Sequence, residues 1–182
     1  MEDRIAGWFA DIESSDREVQ HRAFLALMAA TETPVDWAYE VWDDLLSKLS
    51  DPNNRQRAIA AQLLCALAKS DPKNRILKDF DRILQVTHDE RFVTARHTLQ
   101  SLWKIGVVGP RHKKILLEGL EKRYRGCADE KNGTLVRYDI LESFRKIHDH
   151  GPDEKIRQRA LELIEIEEDP KYRKKYATLW KK

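Results

Sequence analysis

Apolar residues recur along this chain at the spacing of one helix face, and nowhere do they alternate as a strand would. Ala38, Val41, Trp42, Leu45 and Leu49 fall at i, i+3, i+4, i+7 and i+11, the stripe an α-helix turns toward a core. Phe92, Ala95, Leu99, Leu102 and Trp103 keep a similar rhythm, as do Leu116, Leu117, Leu120 and Tyr124. Breakers separate the runs at Thr33-Pro34, Ser50-Asp51-Pro52, Asp71-Pro72, Gly109-Pro110, Gly151-Pro152 and Asp169-Pro170. Each pairs a capping or permissive residue with a proline that suits a first helical turn. The pattern predicts about ten helices, near 2–13, 16–31, 35–49, 53–69, 74–87, 90–106, 110–126, 133–148, 153–167 and 171–180. Connections of roughly two to six residues make neighbours pack antiparallel. The longer, polar gap from Gly126 to Gly133 reads as a surface loop.

Composition agrees. With 41% hydrophobic and 35% charged residues but only seven Gly and six Pro in 182, helices with solvated faces are favoured over a sandwich or barrel. The length suits a single domain, 1–182. No apolar run is long enough for a transmembrane helix, and Met1 leads into Glu2, Asp3 and Arg4 with no signal-like segment. Cys65 and Cys127 are too few for a disulfide framework, and Cys65 lies in the apolar run Leu63–Leu67. Both are read as reduced thiols, which makes a cytoplasmic location the expectation.

The net charge of +2 hides an asymmetry: residues 1–90 hold 11 Lys+Arg against 17 Asp+Glu, and residues 91–182 hold 22 against 14. A chain polarised in this way can steer an anionic partner to one end, orient two copies head to tail, or simply stay soluble. The oligomeric state is left open.

Helices also repeat in pairs. Asp16, Val19, Gln20 and Ala23 share their spacing with Asp51, Asn54, Arg55 and Ala58, and again with Asp153, Ile156, Arg157 and Ala160. Val136-Arg137 carry the centre of the pattern, with Gly133 in the Asp position. The segment 98–105 aligns without gaps on 140–147, and 63–69 fits the same frame 35 residues before 98–104. The Asp caps a helix, the next apolar residue enters the core, and the small residue lets helices approach closely. This pattern resembles the HEAT-repeat (armadillo-type) α-solenoids, whose second helix typically opens with Asp, then Val-Arg, then Ala. The chain departs from it at Asp89–Ala95, where the small residue comes one position early, and at the short step from 133 to 153. The resemblance implies an all-α fold: a right-handed superhelix of about four to five antiparallel helix pairs. The pairs would cover about 2–31, 34–69, 74–106 and 110–148, with 153–182 as a C-terminal cap. It implies a non-catalytic protein-interaction scaffold. Some HEAT-like proteins are instead alkylpurine DNA glycosylases, and others bilin lyases or related chaperones.

The repeat frame places Lys69, Lys104 and Lys146 at one equivalent position, with Gln62, His97 and Asp139 two turns earlier. Ser101 and Ser143 follow His97 and Asp139 by one turn. These eight residues are expected to point away from the core, onto the concave face of a solenoid. A lysine ladder there can track phosphates or an acidic protein segment, or merely complement helix C-termini. A second basic group, Arg111, His112, Lys113, Lys114, Lys122, Arg123 and Arg125, lies on one helix, with cations in a first turn where they oppose the dipole. The terminal run Lys171, Arg173, Lys174, Lys175, Lys181 and Lys182 surrounds Tyr172, Tyr176, Leu179 and Trp180, which suits a cap with its aromatic rings inward or a membrane-surface helix.

Catalytic signals are weak. No carboxylate is spaced beside an exposed Trp in a basic groove, so no glycosylase residue carries over. His148-Asp149-His150 lacks metal-ligand spacing, and glycine-rich phosphate loops and nucleophile elbows are absent. The expectation is a chain with no cofactor, no metal and no enzymatic role. A protein segment, acidic where it meets residues 91–148, is the expected partner; nucleic acid is the alternative.

Overall fold

The computed structural model describes residues 1–181; Lys182, last of the terminal basic run, lies outside them. Every regular element among the described residues is helical. They are α1 (Asp3–Asp11), α2 (Arg17–Ala30), α3 (Ala38–Lys48), α4 (Asn54–Leu67), α5 (Ile76–Gln85), α6 (Phe92–Ser101), α7 (Trp103–Gly106), α8 (Pro110–Gly126), α9 (Gly133–His150), α10 (Glu154–Glu165) and α11 (Pro170–Ala177). Short 3-10 turns extend α4, α5 and α11. The ten helices expected from periodicity are all present, the sixth broken in two at Leu102. That break has a visible cause. The Ser143 hydroxyl donates to the Leu99 carbonyl at 3.0 Å, the acceptor that the Trp103 N–H would use in an unbroken helix.

Two compact units make up the chain, Met1–Thr98 and Leu99–Lys182. In the first, α1 packs on α2 and α3 on α4 as helical hairpins. α4 is the centre: from Ala58 to Ala68 every residue except Gln62 is buried. A helix apolar on all sides must be surrounded, and its alanines let α2, α3 and α5 approach closely. Two buried amides add direction, since Gln20 and Gln56 both donate to the Ile12 carbonyl, at 2.9 and 2.6 Å. The end of α1 is thereby tied to α2 and α4 through one otherwise orphaned acceptor.

Thr33-Pro34 and Asp71-Pro72 do not cap the helices that follow, since α3 starts after Trp37 and α5 after Arg75 with no side-chain cap; the aspartates of the repeat pattern and Asp169 do cap, with one exception. Asp16 accepts from the N–H groups of Glu18 and Val19, Asp153 from Lys155, and Asp169 from Lys171. On α4 the cap is Asn53, not Asp51. Asp51 turns the chain into that cap by accepting the Asn53 N–H at 2.7 Å. Gly133 stands where the repeat expects Asp because a Cβ there would lie 2.1 Å from the Cys127 carbonyl oxygen.

Two arginines, Arg57 half-buried and Arg137 buried, lock loops. Arg57 grips Asp89 through two bonds of 2.6 and 2.9 Å and donates to the Asp51 carbonyl at 2.7 Å. In the second unit Arg137 reaches Glu167 at 2.8 Å and the Tyr124 carbonyl at 3.3 Å, with its guanidinium 4.9 Å from the centre of the Tyr124 ring. Both pairs join the start of a second helix to a loop about 30 residues on, a forked geometry lysine cannot copy. Burial pushes the Glu167 carboxyl up, but the Arg137 bond, the Asp169 N–H and the Arg137 charge outweigh it, and its pKa ends below the ordinary carboxylate value. The expected surface loop after Gly126 is half interior: Cys127 is buried, and Arg123 holds Glu130 through two 2.7 Å bonds. Both cysteines are free and buried, and burial pushes the Cys127 thiol up. The terminal cap places Tyr176 and Trp180 inward, with the Tyr176 hydroxyl donating to the Thr134 carbonyl at 2.8 Å.

Leu64 is fully buried on α4. Leu64→Ala lowers the unfolding free energy in urea titration by about 2–5 kcal/mol. Glu167→Ala leaves Arg137 buried and unpaired and costs about 3–5 kcal/mol at pH 7. Because the folded Glu167 pKa lies below its unfolded value, this stabilisation is complete above the unfolded pKa and is lost as pH falls through the folded one. The gap in melting temperature between parent and Glu167→Ala therefore closes as pH is lowered from about 5 toward 3.

Candidate binding site

In the first unit, α2, α4 and α6 carry charge very differently from the helices they pack on. Within this unit they hold Arg17, Arg22, Arg55, Arg57 and Arg96 against one acid, Glu18. α1, α3 and α5 hold Asp3, Asp11, Glu40, Asp43, Asp44, Asp79 and Asp81 against Arg4, Lys48, Lys78 and Arg82. Charge is thus sorted by helix layer inside the unit, a division invisible when halves of the chain are summed.

The basic layer forms one wall of a groove of about 370 Å³, lined by Arg17, Gln20, His21 and Phe24 of α2, Arg55, Ala58, Ile59 and Gln62 of α4, and His97 of α6. Helical geometry explains the lining. Arg17, His21 and Phe24 sit one turn apart on α2, as Arg55, Ile59 and Gln62 do on α4. Leu25 and Val93, 52% and 54% exposed, lie one turn from His21 and His97 and prolong the same faces. Exposed apolar side chains grouped on one face mark an interaction surface, whereas scattered ones do not. Gln20 and Gln62 are held by the Ile12 and Ala58 carbonyls at 2.9 and 3.1 Å. The guanidinium groups of Arg17 and Arg55 make no hydrogen bond or ion pair among the described residues.

Of the eight residues expected on a concave face, Gln62 and His97 therefore come together on an open groove. Lys69 lies in the same unit, but its ammonium donates to the Glu32 carbonyl at 2.9 Å, holding the chain after α2. The others belong to the second unit. Asp139 and Ser143 do not point away from the core: both are buried, Asp139 accepting from the Gln100 amide at 3.2 Å and Ser143 donating to Leu99. Ser101 is also buried, and Lys104 half-buried. Lys146 pairs with Glu142 at 3.1 Å, one turn away. The signal for this correction was in the sequence: Val136, Asp139, Ile140, Ser143, Phe144 and Ile147 form one continuous i, i+3, i+4 stripe.

The basic group on α8 divides similarly. Arg123 belongs to the stripe Leu116, Leu117, Leu120, Tyr124 and Cys127, and it is buried on Glu130; His112 is buried too. Arg111, Lys114, Lys122 and Arg125 are exposed, and Lys113 lies 3.5 Å from Asp153. The residues sequence reasoning missed are Arg17, His21 and Arg55. Their signal was recurrence one turn apart beside Phe24 and Ile59. No group of three or more His, Cys, Asp or Glu able to hold a metal occurs among the described residues, and no helix among them is long and apolar enough to cross a membrane.

No known family model matches the sequence, and no curated protein matches it. Among solved structures, the crystal structure of an engineered protein from a structural genomics consortium aligns over 98% of this chain and 95% of its own, at 15% identity and a TM-score of 0.49. A likeness that weak transfers neither fold nor function.

The buried and the exposed members of the expected face separate by stability. Ser143→Ala, which removes a donor from a buried carbonyl, costs about 1 kcal/mol in chemical denaturation. Lys146→Gln, which removes an exposed pair, changes stability by no more than about 0.5 kcal/mol.

Proposed function

We propose that this protein is a non-catalytic binding module, built as a HEAT-like helical-repeat solenoid, that takes an acidic segment of a partner protein in the groove of α2, α4 and α6. The observation that carries the reading is two arginines without an internal counter-ion, Arg17 and Arg55, in a groove with Phe24 and Ile59, and with the exposed Leu25 and Val93 one turn from its His21 and His97. Carboxylates would pair with the guanidinium forks, the geometry arginine is suited to. Apolar side chains of the same segment would cover these apolar residues and remove them from water. Gln20 and Gln62 add amide groups that can orient a backbone. The right-handed superhelix belongs to this proposal, as does the role of scaffold.

Nucleic acid is the competing occupant. The ladder suggested for it is taken up elsewhere, Lys69 by a carbonyl and Lys146 by Glu142, and phosphates have no use for the apolar side chains. A phage-displayed peptide library panned against the purified chain separates the readings. The expected result is enrichment of peptides with Asp or Glu next to Leu, Ile or Phe. Their affinity falls at least about tenfold in Arg17→Glu/Arg55→Glu, while the helical circular dichroism spectrum is unchanged. Enrichment of basic peptides, or of none, overturns the proposal. So does tight binding of a random-sequence single-stranded 20-mer DNA with a steep salt dependence, which would make the groove a nucleic-acid site.

A further inference from the structure

The second unit holds a larger groove, of about 680 Å³, between the turn into α8, the C-terminal end of α9 and the first turns of α10. Its apolar lining is aliphatic, with Val107, Pro110, Leu117, Ile147 and Ile156, and the one aromatic ring is the His150 imidazole. The surface can form because Gly106 carries no side chain. A Cβ there would meet Leu116 Cδ2 at 2.7 Å and Ile147 Cδ1 at 2.9 Å, so any larger residue would displace these two buried side-chain ends.

Lys113, Lys114, Lys155 and Arg159 surround this surface, and Asp153 is the one carboxylate in the lining. Asp153 is already engaged, by Lys113 at 3.5 Å and by the Lys155 N–H that it caps at 3.1 Å. Arg159 is engaged as well, by Glu121 at 2.5 Å. Lys114 and Lys155 are exposed, and their ammonium groups have no partner among the described residues. The groove therefore offers an aliphatic surface under two unneutralised cations. Its volume lies in the range of small-molecule sites, which are mostly apolar with a few placed polar groups.

We infer that this groove binds a small amphiphilic anion: a carboxylate or phosphate head attached to an aliphatic body. The head meets Lys114 and Lys155, and the body lies over Val107 and Pro110, above the buried Leu117, Ile147 and Ile156. A quaternary ammonium is repelled by the rim. This site is independent of the α2, α4 and α6 groove, and neither proposal needs the other.

The test is isothermal titration calorimetry of the full chain with laurate and with dodecyl phosphate, both below their micelle concentrations. Dodecanol and dodecyltrimethylammonium serve as the uncharged and cationic controls, and amide shift mapping reports the location. The expected result is binding of one or both anions, weakened by added salt, with shifts confined to residues near 106–117 and 147–159. Lys114→Gln/Lys155→Gln, two exposed changes that leave the melting curve alone, weakens binding by about tenfold or more. Arg17→Glu/Arg55→Glu leaves it unchanged. Binding of dodecyl phosphate alone or of laurate alone identifies the head group. Equal binding of dodecanol, no binding of either anion, or shifts elsewhere overturns the inference.

Discussion

The first unit depends on one helix having no solvent face of its own. From Ala58 to Ala68, α4 exposes only Gln62 in part, so α2, α3 and α5 must enclose it. Alanine at 58, 60, 61, 66 and 68 keeps neighbouring backbones close, and Leu63, Leu64 and Leu67 fill what remains. A close-packed helix of this kind transmits any change in side-chain volume to all its neighbours. It also fixes where α2 and α6 lie, and so aligns Arg17, Arg55 and His97 along one groove. The single break in burial, at Gln62, is where the helix meets that groove.

Around this apolar centre, a few buried polar groups set register. The Ile12 carbonyl accepting from both Gln20 and Gln56 fixes α1 against two helices at once. Arg57 with Asp89 and Arg137 with Glu167 do the same for loops. Buried ion pairs of this sort are weak contributors in net terms, because desolvation offsets attraction, yet they penalise wrong arrangements by leaving a charge unpaired. Each ties the first turns of a helix, α4 or α9, to a loop about 30 residues further on.

The two grooves follow from the same logic of spent and unspent charge. Most cations have assigned partners: Lys69 at a carbonyl, Arg123 on Glu130, Arg75 on Asp43, Arg159 on Glu121. Among the cations without such partners, Arg17 and Arg55 in one unit and Lys114 and Lys155 in the other line grooves that also hold apolar side chains. Counting basic residues along the chain does not find these sites; the unpartnered cations have to be set beside the groove linings. Charge sorted between helices in the first unit supports the same distinction, since no acidic residue lines that groove.

Local periodicity alone determined the helical class, the ten helical segments and the core positions of Leu64, Cys65, Leu99 and Trp42, because which face of a helix is apolar is a property of residues three and four apart. Caps at Asp16, Asp153 and Asp169 were legible for the same reason. Tertiary structure decided what periodicity left ambiguous. Asp139, Ser143 and Arg123 lie in apolar stripes, and a polar residue in such a stripe turns inward only if a partner waits there: Gln100, the Leu99 carbonyl and Glu130 come from other helices or loops. Asn53 caps α4 in place of Asp51, which instead accepts the Asn53 N–H. The grooves were decided last of all, since they join α2 to α4 and α6, and α8 to α9 and α10, across sequence separations that no local spacing encodes.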